Sequence, residues 1–198
     1  MSIDDSRSLA VARIRDGAAV MQQLLESEEY LSAVVAAADA MTKGLRSGNK
    51  ILFFGNGGSA ADAQHLAAEL SGRFMRERPS LSGWALTTNS SALTAIGNDY
   101  SFEDIFTRQL EGIGSPGDIA FAISTSGNSL NVIKAVEVAR RRNLISIALA
   151  GKSGGRLRDL VDHCICIPSD HTPRIQEAHI LTGHILCELI EEEMFGSK

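Results

Sequence analysis

Five apolar runs of three to six residues punctuate the chain after residue 50, at 51–54, 84–86, 119–123, 144–149 and 164–167. Between them lie segments whose apolar residues recur at helical spacing, such as Leu66 with Leu70, or Val132 and Ile133 with Val136. Short apolar strands alternating with helices predict βαβ units and a parallel sheet. Right-handed crossovers then wind helices onto both faces. The expected fold class is α/β: a doubly wound parallel five-stranded sheet in a three-layer α/β/α arrangement.

The first 47 residues have another rhythm. Val11, Ile14, Ala18, Met21 and Leu25 form one stripe at spacings of three and four, and Leu31, Val34, Val35, Ala38, Met41 and Leu45 form a second. These predict a helical N-terminal extension whose apolar faces need a partner, so an oligomer is expected. Residues 174–194 read as a long amphipathic helix. The 198 residues fit one domain, with helices at 1–47 for oligomer packing and an α/β core with a C-terminal helix at 48–198.

Net charge is −5, which argues against a nucleic-acid or anionic membrane surface, since both reward clustered Lys and Arg. The run Arg140-Arg141-Arg142 reads as a solvated helix end. Residues 1–9 contain Asp4 and Asp5 and no apolar core, and no stretch approaches ~18 apolar residues, so neither a secretory signal nor a membrane span is expected. Cys164, Cys166 and Cys187 lack zinc-type spacing and suggest buried thiols in a reducing cytoplasm.

Two polar loops follow strands and open helices. The first is Gly55-Asn56-Gly57-Gly58-Ser59, the second Ser124-Thr125-Ser126-Gly127-Asn128-Ser129. Glycine lets the backbone approach a ligand, and free N–H groups at a helix start favour an anion. In doubly wound sheets, ligands bind beyond the carboxyl ends of the strands. Two such loops at one sheet edge can hold both ends of a small phosphorylated polyol. A nucleotide fits less well. No G-x-x-x-x-G-K-[ST] motif is present, and Gly55-x-Gly57-x-x-Ala60 is followed on the next strand by Thr87-Thr88-Asn89 rather than a ribose-binding acid.

His65 and Glu69 share one helix face four residues apart, with Asp62 placed to orient the imidazole. The final helix adds Gln176, His179 and His184. A His–Glu pair with a distant Gln and His suits zinc or a similar metal. Gln176 and His184 lie roughly 12 Å apart along an ideal helix, too far to meet one ion by simple projection. An irregular helix start, ligands from different subunits, or one non-ligand would each resolve this.

The ordered set Phe54-Gly-Asn-Gly-Gly-Ser59, His65-x-x-x-Glu69, Gly97-Asn-Asp99, Ser124-Thr-Ser-Gly-Asn-Ser129 and Arg174-Ile-Gln-Glu-x-His179 resembles the phosphoheptose isomerase branch of the sugar-isomerase (SIS) family over essentially the whole chain. The resemblance implies a cytoplasmic homotetramer with sites between subunits, acting on sedoheptulose 7-phosphate. It implies zinc ligands at His65, Glu69, Gln176 and His184, and an acid–base pair at Glu69 and His184. It implies substrate contacts at Asn56, Gly57, Gly58, Asn98, Asp99, Ser124, Thr125, Ser126, Ser129 and Gln176, with Ser59 of the first loop beside them. One departure is Pro173, where many members carry an acid or alanine. A related non-catalytic branch binds the bacterial replication initiator, but it lacks counterparts of Glu69 and His184.

Overall fold

Residues 1–196 are described by a computed structural model, and all five expected strands are present in it. They are β1 (Ile51–Gly55), β2 (Gly83–Ala85), β3 (Ile119–Ser124), β4 (Ile145–Gly151) and β5 (His163–Ile167), all parallel, in the order β2-β1-β3-β4-β5. From β1 the chain steps to one edge at β2, then returns past β1 and runs to the other edge. The order therefore reverses between β1 and β3, which pair from Ile51↔Ile119 to Gly55↔Ile123. The two polar loops leave the sheet on either side of this reversal, where a ligand crevice forms.

Alternate strand residues serve two cores. Ile51, Phe53, Phe121, Ile123, Leu149 and Ile165 face one side, with Leu52, Phe54, Ala120, Ala122 and Ala148 on the other. The first face is covered by α1 (Ile3–Glu26), α2 (Glu28–Arg46), α3 (Gly58–Ser71) and α7 (Thr172–Phe195). The second carries α4 (Ser90–Asp99), α5 (Thr107–Ile113) and α6 (Leu130–Arg141). Phe53 tilts against Phe121 at 5.0 Å and Phe54 against Phe106 at 5.5 Å, so one aromatic pair anchors each core. Burying such a side chain fully contributes about 1.5–3 kcal/mol.

The N-terminal pair bends at Ser27, which ends α1 and caps α2 by accepting a hydrogen bond from the Tyr30 N–H. Val34, Ala38, Met41 and Leu45 of the α2 stripe are buried, and α2 packs on α7. The α1 stripe faces solvent instead, with Ile14 71% exposed, and Val35 of α2 is 61% exposed. No helix among the described residues is long and apolar enough to cross a membrane.

Candidate active site

Both polar loops leave unused donors at helix starts. Helices α1, α2 and α4 have side-chain caps from Ser2, Ser27 and Asn89, whereas α3 and α6 have none. Their first N–H groups, at Gly57-Gly58 and behind Ser129, stay free for an anion. Gly57 has φ 57°, a left-handed conformation suited to glycine. Gly55 has no room for a side chain, because a Cβ there would lie 2.6 Å from the Ile123 carbonyl.

The loops are tied together. Asn56 donates from Nδ2 to Asn131 Oδ1 at 2.8 Å, and Asn131 donates back to Asn56 Oδ1 at 2.9 Å. In the second loop the Ser124 and Ser129 hydroxyls meet at 3.1 Å, and Ser126 Oγ accepts from the Asn128 N–H. Thr125 uses its carbonyl to accept from the Gly151 N–H at 3.1 Å. Ser59 is buried under the first loop. Asn98 and Asp99 end α4 and are exposed, and the Asn98 amide donates to the Asp99 carboxylate at 2.8 Å.

Helices α3 and α7 run side by side in the same direction. The Gln176 amide abuts Gly58, where a Cβ would collide with it; about two turns along, Gly183 makes room for Leu66; and His65 meets His184. His65 Nε2 lies 2.9 Å from His184 Nε2 and 3.1 Å from Glu69 Oε1. The donor atoms of all three residues lie within 4.8 Å of one another. Two imidazole nitrogens and a carboxylate form a donor set that fits zinc. Phe74 stacks on the His184 ring at 5.3 Å and fixes its plane. Gln176 thus stands at the glycine loop and His184 two turns further on, along one regular helix. Within a protomer the helix shows no irregularity that would bring them together.

Asp62 does not orient His65 by a hydrogen bond. Its Oδ2 is buried without a partner; burial raises its carboxyl, against the opposing pull of His65. His179 is fully buried, away from the His65 cluster, and neither ring nitrogen has a hydrogen-bond partner. Burial pushes its imidazole down to about 4, partly offset by the adjacent Ala150 backbone.

Comparison with known proteins fits this geometry. A SIS domain profile matches residues 14–151. The phosphoheptose isomerase 2 of Campylobacter jejuni is 48% identical over 194 residues, covering 98% of this chain and 96% of that protein. The chain belongs to the phosphoheptose isomerase branch of the SIS family. Two solved phosphoheptose isomerases share its fold. The Neisseria gonorrhoeae structure is 42% identical with a TM-score of 0.88, over 94% of this chain and 98% of that one. The Francisella tularensis structure is 36% identical with a TM-score of 0.91, over 97% and 100%. Against the branch's motifs, the structure adds Asn131 and Phe74, which touch Asn56 and His184 respectively. Asn131 stands two residues past Ser129, in the first turn of α6, and nothing in its local sequence marks it as the partner of Asn56.

Proposed function

We propose that this chain is a sedoheptulose 7-phosphate isomerase, forming D-glycero-D-manno-heptose 7-phosphate through an enediol for heptose-containing glycan precursors. The observation that carries the reading is the convergence of His65 and Glu69, on a helix that starts at an uncapped glycine loop, with His184 of α7. Aldose–ketose exchange needs one group to carry a proton between adjacent carbons and another to move a proton between their oxygens. Glu69 and His184 are the pair for these two transfers. The 124–129 loop holds the phosphate through Ser124, Thr125, Ser126 and Ser129. Asn56, Gly57, Gly58, Ser59, Asn98, Asp99 and Gln176 contact the sugar.

Zinc is the proposed metal, held by His65, Glu69 and His184, with Gln176 as the fourth ligand. When bound it would supply Lewis-acid polarisation of the sugar oxygens. Gly58 and His65 are seven residues apart on α3, roughly 10 Å of helix. That spacing, the outward-facing His65 and the apolar stripe of α1 support a homotetramer in which neighbouring subunits complete each site. One SIS domain with its packing helices at 1–47 fits this assembly. The unpaired thiols among the described residues suit a cytoplasmic enzyme.

The test is turnover of sedoheptulose 7-phosphate by the purified protein, beside Glu69→Gln. Wild-type product with a loss of about 10²–10⁴-fold in the variant is expected. No turnover with or without added zinc would overturn the assignment and leave a sugar-phosphate-binding protein. Chelation should abolish activity and zinc restore it; full activity after verified metal removal would exclude an essential metal.

A further inference from the structure

Cys164 and Cys166 lie on β5, an edge strand of the sheet, and their Sγ atoms stand 3.6 Å apart. Both are partly exposed, in contrast to the buried Cys187. They line a cavity of about 150 Å³ with Ser27, Tyr30, Lys152 and Arg158. The hydrogen bond from Cys164, assisted by Arg158 and opposed by burial, pulls the Cys166 thiol down to about 7. The same bond raises the Cys164 thiol. Burial pushes Cys187 up to about 12, so it offers little competing thiolate. An accessible thiolate beside a second thiol has the layout of a thiol that oxidises and a neighbour that resolves it.

The other side of this pair meets the proposed phosphate loop. Gly154 covers both sulfurs closely: a Cβ there would be 3.0 Å from Cys166 Sγ and 3.2 Å from Cys164 Sγ. The turn that begins at Gly154 is stitched to the serine loop. Leu157 N–H donates to the Gly127 carbonyl and Arg156 N–H to Asn128 Oδ1, each at 3.1 Å. A Cβ on Gly155 would lie 2.6 Å from the Ser126 carbonyl. Neither contact leaves slack between the thiols and the loop.

We propose that Cys164 and Cys166 are a modification site at which a hydroperoxide forms an intramolecular disulfide, and that this change weakens binding at the 124–129 loop. The Cys166 thiolate attacks one peroxide oxygen, breaks the O–O bond and becomes a sulfenic acid, while the departing oxygen takes up protons as water or an alcohol. The Cys164 sulfur then attacks the sulfenyl sulfur, forms the S–S bond and expels the second oxygen as water. Two thiols lose two electrons and two protons, and the peroxide is reduced. Alternate residues of a strand lie about 6.6 Å apart, at the far end of the ~4.4–6.8 Å Cα separation that a disulfide spans. Closure must therefore shorten β5 locally, and the displacement falls on Gly154. The effect on binding rests on the phosphate role proposed for that loop; the disulfide does not.

The experiment treats the full-length enzyme with hydrogen peroxide and follows two readouts. Peptide mass mapping should show loss of two hydrogens in the segment that contains both cysteines. KM for sedoheptulose 7-phosphate should rise roughly 5-fold or more, return with dithiothreitol, and stay unchanged in Cys164→Ser and Cys166→Ser. Oxidation to sulfinic acid, or no reaction at these thiols, would overturn the modification site whatever the activity. A mapped disulfide with unchanged KM would overturn the coupling. Failure of the phosphate-loop reading would show separately, as a normal KM in reduced Ser126→Ala.

Discussion

Ser126 occupies the tightest part of the second loop, where its hydroxyl accepts from the Asn128 N–H and its carbonyl from the Asn128 amide. If this loop binds phosphate and takes no part in proton transfer, Ser126→Ala should raise KM and leave kcat nearly unchanged. Steady-state kinetics with an unchanged KM and a collapsed kcat would contradict that division of labour. His179 makes a second prediction, on stability. Its folded value, about 4, lies below the ordinary 6.5, so the unfolded chain binds the extra proton between those values. Stability from this residue is complete above 6.5 and declines as pH falls towards 4. The loss from pH 7 to pH 5 should be about 2 kcal/mol, read from urea unfolding, and should shrink in His179→Gln. An equal decline in the variant would assign the acid sensitivity elsewhere. At this scale, the sequence revealed what sits close in sequence: His65 and Glu69 are one turn apart, and the glycines are contiguous. Asn131 against Asn56 and Phe74 against His184 were not legible, because each contact joins residues 75 or more positions apart and depends on how two elements dock.

Among the elements, the parallel pair α3 and α7 builds the cluster, and a buried ion pair braces it. Arg78 and Glu191 side chains are each 1% exposed, with Nε to Oε1 at 2.8 Å. Glu191 also accepts from the N–H groups of Phe74, Met75 and Arg76, and Arg78 donates to the carbonyls of Glu69 and Leu70. Burial would raise the Glu191 carboxyl, but these donors outweigh it and hold the group below its ordinary value. The segment that carries Phe74 onto His184 is thus clamped between α3 and α7. Glu191→Gln should cost about 3 kcal/mol, because it leaves Arg78 buried without its counter-charge. It should also lower kcat as the His184 ring loses its fixed plane. An unfolding midpoint matching wild type would remove the clamp from the account. The edge strand β2 is only three residues long with Trp84 59% exposed, whereas the central strands β1, β3 and β4 were plainly legible because strands buried on both faces spell near-continuous apolar runs. Helix α4 was not, since none of its residues is buried and it shows no strong stripe. Helix α5 spans only seven residues, too few for a period to stand out.

For the whole molecule, Ile14 of α1 and Val35 of α2 are apolar residues that the chain itself leaves uncovered. If Ile14 and Val35 lie in a subunit interface, Ile14→Glu with Val35→Glu should yield smaller species by sedimentation velocity, with unchanged far-ultraviolet circular dichroism. Activity should fall with them if neighbouring subunits complete the site. A full-size, fully active double variant would place the interface elsewhere. The apolar face of α1 was legible in its stripe; what covers it was not, since a stripe records only that a face is apolar. The position of α7 has a further consequence. It comes after every other described element, yet α1, α2 and α3 all pack on it, through contacts such as Tyr30 to Thr182 and Arg46 to Glu193. A chain emerging from the ribosome can assemble its early strands but lacks the main cover for its first helices until α7 leaves the exit tunnel. Nascent chains stopped before α7 should therefore be open to proteases and chaperones in their N-terminal third.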